Sequence, residues 1–155
     1  MLHALRTRLT PWEDVVWGLL LVGILVWRWP LLKGYYYKYA HVAAPATTIA
    51  WRTDLSQALA ESKRSGKPVL VDFNAVWCPP CLAMKHDTWT DAAVERAVSS
   101  ATVPLQVDID QDPATASRYG IESIPTVLML DGDGHVLRSE GFLPPSGVLR
   151  FIAGN

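Results

Sequence analysis

Cysteine is nearly absent from this chain: its 155 residues include only Cys78 and Cys81. With no second pair, neither a four-cysteine zinc site nor a disulfide framework can be built. The histidines, His3, His41, His86 and His135, are scattered. Leu82 stands directly after Cys81, where covalent haem attachment would need a histidine. No metal or cofactor is therefore expected. Charge is thin as well. Asp, Glu, Lys and Arg make up 19% of the residues, below the about 25% usual in globular proteins. Residues 51–155 hold nine Lys/Arg against thirteen Asp/Glu, a mildly acidic balance that argues against nucleic acid as a partner. No internal repeat is visible.

What the chain does have is Trp77-Cys78-Pro79-Pro80-Cys81. Two thiols three positions apart close a small disulfide or open to a dithiol. The first attacks a substrate disulfide and the second resolves the mixed disulfide. The apolar run Val69-Leu70-Val71-Asp72-Phe73 just before it reads as a buried strand, so the pair sits on a turn from strand to helix. A helix N-terminus favours a thiolate at Cys78. Pro79 and Pro80 suit the first helical turn and withhold two N–H donors from the sulfur. Asp72 lies in an apolar strand, where an unpaired charge is costly, so its pKa is expected to be raised.

Near the N-terminus, Val15 to Trp27 is an uncharged apolar run. With its flanks, Trp12 to Leu32, it makes about 31 Å of helix at 1.5 Å per residue, enough for a bilayer core of about 30 Å. Trp12, Trp17, Trp27 and Trp29 lie toward the ends, as in an aromatic belt, and Arg28 can snorkel to the interface. Pro30 is expected to break or kink the helix near its exit. The reading is a tail at 1–11, a single transmembrane anchor at 12–32 and a linker at 33–48. A cleaved signal peptide fits less well, because the small residues of 40–46 lie far from the apolar run. A buried core helix would have to bury four tryptophans beside a complete domain. Arg6 and Arg8 on one side are balanced by Arg28, Lys33 and Lys38 on the other, so charge does not set the orientation. The N-terminus is taken as inside, since a cytosolic redox protein has little use for an anchor. Tyr35, Tyr36, Tyr37 and Tyr39 read either as headgroup-level anchors or as residues packing on the domain.

Residues 49–155 alternate between strand and helix patterns. Ile49 to Trp51 is a possible first strand, and Asp54 caps a helix ending at Gly66-Lys67-Pro68. Strands follow at 69–74, 103–109 and 126–130, and helices at 79–87, after Thr90 or Asp91, and at 113–119. Asp131-Gly132-Asp133-Gly134 is a hairpin turn, so 135–139 should run antiparallel, and Pro144 or Pro145 opens the last helix. The fold class is α/β, a mixed sheet with helices on both faces.

The stretches 69–81, VLVDFNAVWCPPC, and 107–126, which includes DIDQDP and YGIESIPT, resemble the thioredoxin-like family. The segment 85–98 and the layout are similar to the C-terminal thioredoxin-like domain of DsbD, the bacterial membrane thiol:disulfide interchange protein. The resemblance covers about residues 50–154 and implies the thioredoxin-like fold. It also implies roles: Cys78 as exposed nucleophile, Cys81 as buried resolving thiol, and Asp72 as the carboxyl beneath Cys81 that moves its proton. Trp77 would shield the pair, Ile124 and a cis Pro125 would bind substrate backbone, and Gly141 would lie near the groove. Two positions depart from the family pattern. Gln106 stands where thioredoxins carry a lysine near the buried acid, and His86 replaces the proline that kinks the following helix. His86 is expected to be an exposed helix histidine rather than a base.

These observations point to a membrane-anchored thiol:disulfide oxidoreductase that reduces disulfides of extracytoplasmic proteins. It would sit in the bacterial inner membrane with its domain in the periplasm, and a DsbD-type membrane donor would re-reduce it. A non-enzymatic thioredoxin-fold adaptor or holdase is the alternative.

Overall fold

The computed structural model describes residues 11–154; His3, Arg6, Arg8 and the rest of 1–10 lie outside it. Four strands form the sheet: β1 (Val69–Asn74), β2 (Val103–Asp108), β3 (Thr126–Leu130) and β4 (Val136–Glu140). Their order is β2-β1-β3-β4. β1 runs parallel to β2, and β3 is antiparallel to both β1 and β4. The continuous apolar run of β1 reflects its place between two neighbours with both faces covered.

Strand alternation divides β1 between two cores. Val69, Val71 and Phe73 join Ala58 of α3 (Leu55–Ser65) and Ala116 of α6 (Pro113–Arg118). Leu70 joins Val94 and Val98 of α5 (Ala92–Ala101) and Val148 and Phe151 of α7 (Pro145–Ala153). The same alternation puts Asp72 on the Leu70 face, beneath α4 (Pro79–Ala83). Caps fix where the helices begin. Asp54 accepts from the Gln57 N–H, Asp91 from those of Ala93 and Val94, and Asp112 from that of Thr115.

Four details depart from the sequence reading. Ile49–Trp51 forms no strand; a single parallel bridge joins Arg52 to Leu105, because the cap at Asp54 starts α3 immediately afterwards. The helix after Cys81 is not α-helical throughout. It widens into a π-helical turn at Met84–Thr88, closed by the Trp89 N–H on the Met84 carbonyl at 2.9 Å. The extra residue lets Met84, Thr88 and Trp89 all turn inward, and Thr88 donates to the Leu143 carbonyl.

The third departure is in the expected anchor. Residues 12–32 are not one helix: α1 (Pro11–Trp27) and α2 (Trp29–Tyr39) meet at Arg28 with a bend of 61°. Pro30 has no N–H for the Val26 carbonyl and its ring would clash with that carbonyl, so the break falls ahead of the proline. Pro30 then sits in the first turn of α2, where it is tolerated. Among the described residues no single helix is long and apolar enough to cross a membrane; α1 and α2 meet that test only together. The fourth departure is that 33–48 is not a loose tether. α2 extends to Tyr39 and packs on α4, and beyond it Thr47 and the Thr48 N–H bond Glu95 of α5.

Candidate active site

Cys78 and Cys81 are joined as a disulfide, with Cα atoms 5.3 Å apart. Cys78 is the N-cap of α4 in extended conformation. Pro79 and Pro80 have no N–H, so the first amide hydrogen of this helix belongs to Cys81. That hydrogen is donated to Cys78 Sγ at 3.2 Å. The positive end of the helix is thereby aimed at the first sulfur by one directed bond.

The expected contrast between an exposed Cys78 and a buried Cys81 is absent in this oxidised state. Cys78 is 2% exposed and Cys81 6%. The disulfide is packed against Ala75, Ile109 and Ile124, and Cys78 Sγ lies 3.7 Å from the Ile124 carbonyl. Sequence position says which sulfur caps the helix; it does not say how closely the opposing loop covers it.

Asp72 is buried, 3% exposed, and burial pushes its pKa up to about 6. The Gln106 amide, donating to Oδ2 at 3.0 Å, opposes that rise, as do the Asn74 amide at 3.2 Å and the charge of Lys85. Gln106 reaches Asp72 because the two are register partners on β2 and β1. A cavity of about 30 Å³ is lined by Asp72, Cys81, Lys85 and Gln106, large enough for one water. The departure noted at Gln106 thus places a neutral donor on the acid, with Lys85 supplying a cation from the helix side.

The Ile124–Pro125 peptide is cis, and the loop that carries it faces the disulfide. Trp77 is half exposed, and its indole N–H donates to Asp110 at 2.8 Å. Trp77, Ile109, Ile121, Glu122, Ser123 and Ile124 line a groove of about 210 Å³ beside Cys78. Gly141 borders the Pro125 carbonyl; a side chain there would meet it at 3.8 Å, an ordinary contact. The arrangement therefore brings together Cys78, Cys81, Asp72, Trp77, Ile124 and Pro125, with Gly141 at the margin.

The sequence reading allowed the tyrosines to pack on the domain, as Tyr37 does, but did not identify the far side of α4 as the surface that receives them. Gly34 of α2 lies against Pro79, so close that a Cβ built on it would collide with the Pro79 carbonyl. Lys38 donates to the Trp77 carbonyl at 3.2 Å. Tyr37 and Lys33 both hold Asp87, at 3.0 and 2.9 Å. His86, expected on the surface, is buried instead. It stacks on the Tyr37 ring at 3.9 Å, and burial holds its pKa below the usual histidine value. The signal was the helical spacing of Lys33, Gly34, Tyr37 and Lys38.

The profile of the thioredoxin-like family matches residues 50–132. The chain belongs to the thioredoxin-like family. It is 41% identical over 91 residues to a thioredoxin of Streptomyces clavuligerus, a match covering 59% of this chain and 81% of that one. It is 34% identical over 131 residues to the thiol:disulfide interchange protein DsbD of Salmonella paratyphi A. That match takes in 79% of this chain but only 22% of DsbD. It exceeds the extent of residues 49–155 and so reaches into the segment before them. Among solved structures, a thioredoxin from Thermus thermophilus superposes with a TM-score of 0.61 at 24% identity, covering 70% of this chain and 87% of its own. The DsbH oxidoreductase superposes at 0.60 with 19% identity, covering 72% and 83%. These superpositions carry the fold.

Proposed function

We propose that this protein is a membrane-anchored thiol:disulfide oxidoreductase that reduces disulfides of extracytoplasmic proteins. The observation that carries the reading is the Cys78–Cys81 disulfide at a helix N-terminus above the buried Asp72. In the dithiol form the Cys78 thiolate attacks one sulfur of a substrate disulfide and expels the other as a thiolate. Cys81 then gives its proton to the Asp72 carboxylate, through the cavity the two share, and attacks Cys78 Sγ. The second substrate thiolate leaves, and the Cys78–Cys81 bond closes. Two electrons have moved from the protein to the substrate, and the oxidised state described above is the product. Trp77, Ile124 and Pro125 line the groove in which the substrate backbone lies during attack.

The anchor is α1, whose residues from Trp12 to Trp27 are nearly all exposed and largely apolar. Alone it is about 26 Å long at 1.5 Å per residue, a few Å short of the about 30 Å of a bilayer core, a mismatch that local thinning of the bilayer and the flanking Trp27 and Arg28 absorb. The redox domain faces the periplasm, and a DsbD-type membrane protein re-reduces it. The match to DsbD supports the DsbD-type redox role. Reduction of insulin by dithiothreitol tests the activity. Turnover should be accelerated by the full chain in detergent and lost in Cys78→Ser. A rate equal to the dithiothreitol blank would end the enzymatic reading and leave the adaptor. Carbonate washing should leave the chain in the membrane, and protease added to spheroplasts should remove the domain; protection would reverse the orientation.

A further inference from the structure

The eleven residues of α2 carry two different stripes. Lys33, Gly34, Tyr37 and Lys38 face the redox domain through the contacts described above. The other stripe is Trp29, Leu32, Tyr35, Tyr36 and Tyr39. It is exposed, with Trp29 at 57%, Tyr36 at 62% and Tyr39 at 70%, and it carries no charge. Both cations of α2 are engaged with the domain, Lys33 at Asp87 and Lys38 at the Trp77 carbonyl. A soluble surface seldom leaves such an aromatic strip uncovered.

We propose that α2 lies in the membrane–water interface, its aromatic stripe among the lipid headgroups and its other stripe gripping the active-site helix. The redox centre is thereby pinned to the membrane surface. This rests on the reading of α1 as the anchor. Three observations single out lipid as the occupant. The stripe is continuous with α1, which beyond Glu13 and Asp14 in its first turn carries no charge. Its residues are Trp, Tyr and Leu, and the amphipathic rings of Trp and Tyr favour the headgroup level. The 61° bend turns α2 away from the direction of α1, so a helix following the membrane normal delivers α2 closer to the membrane plane than to the normal.

Gly34 makes the link stiff. Lacking a side chain, it lets the α2 backbone lie directly against Pro79, so α4 sits about one helix diameter, roughly 10 Å, from the lipid. Cys78 then works within a thin layer over the membrane.

The test uses the full chain with Cys78→Ser and Cys81→Ser, reconstituted in vesicles of phosphatidylethanolamine and phosphatidylglycerol. Nitroxides are placed singly through Leu20→Cys, Tyr36→Cys and Ser65→Cys. Accessibility to oxygen and to a water-soluble nickel chelate gives the depth of each. The expected result is position 20 in the hydrocarbon, position 36 at the headgroups and position 65 in water. Position 36 as open to nickel as position 65, with position 20 still buried, overturns the proposal and leaves the anchor intact. Position 20 in water overturns the anchor reading and the proposal with it. Pulsed distance measurement between labels at 36 and 65 tests the grip. A narrow distribution is expected, broadening several-fold in Gly34→Val; an equally narrow distribution in Gly34→Val means that Gly34 does not pin the domain.

Discussion

At the scale of single residues, the two cysteines differ by position more than by exposure. Both are buried in the disulfide, but only Cys78 caps the helix and receives the Cys81 N–H. Cys81→Ser should therefore accumulate mixed disulfides with substrates on Cys78, and Cys78→Ser should not, read on non-reducing gels after acid quenching. Equal trapping by both variants would remove the assignment. Asp72 gives a prediction with a sign. Its folded pKa, about 6, is above the ordinary carboxylate value of 3.8. The folded state therefore holds a proton that the unfolded chain has lost, and stability rises as pH falls from about 6 toward 4. Above pH 6 the full cost of the buried charge is present, at most about 3 kcal/mol at 1.36 kcal/mol per unit. Asp72→Asn should thus stabilise the protein by about 1–3 kcal/mol at pH 7.5 and flatten its urea stability between pH 4 and 6. The same substitution should slow resolution by Cys81 while leaving the first alkylation of Cys78 nearly unchanged. A urea midpoint at pH 7.5 no higher than wild type would show that Asp72 does not carry the buried charge.

At the scale of elements, α2 belongs physically to the redox domain although it follows directly on α1. Its ties are the Tyr37–His86 stack, the Lys33–Asp87 pair and the Gly34–Pro79 contact. The Lys33–Asp87 pair is about one-third exposed on each side, and such pairs contribute little alone. The buried ring stack and the backbone contact carry more. Two truncations separate these effects. Chains starting at Arg28 and at Ala46 should both lose the carbonate-resistant anchorage of α1 and both reduce insulin. The shorter chain exposes His86 and one side of α4, and its Tm should be lower by at least about 4 °C, the shift that about 1 kcal/mol gives in a domain of this size. Equal melting temperatures would mean that α2 rests on the domain without stabilising it.

For the whole molecule, the reduction potential of the Cys78–Cys81 couple sets the direction of electron flow. A strongly oxidising dithiol owes its potential to an unusually stable thiolate. Here the two prolines leave a single close N–H on Cys78 Sγ, and no histidine lies between the cysteines. The couple should therefore lie nearer to about −270 mV than to about −120 mV, the thioredoxin and DsbA values. Equilibration with glutathione buffers, followed by thiol trapping, measures it. A protein that remains a dithiol in a strongly oxidising buffer would place it with the oxidants.

The sequence by itself determined the chemistry and most of the scaffold. The strand carrying Asp72, the helix opening at Pro79, the Asp caps and the hairpin turn are each specified by residues within a few positions of one another. Periodicity, capping and turn geometry are local properties, so they are legible in order along the chain. The tertiary structure decided what depends on residues far apart. Lys33 and Tyr37 meet Asp87 across 54 and 50 positions, and the Ile124 carbonyl reaches Cys78 across 46. Nothing adjacent to His86 signals that the distant Tyr37 will bury it, and nothing adjacent to Gly34 signals that a proline carbonyl will occupy the space of its missing side chain. Burial of Cys78, the widened turn after Cys81 and the docking of α2 are packing outcomes, fixed only once several elements compete for the same volume.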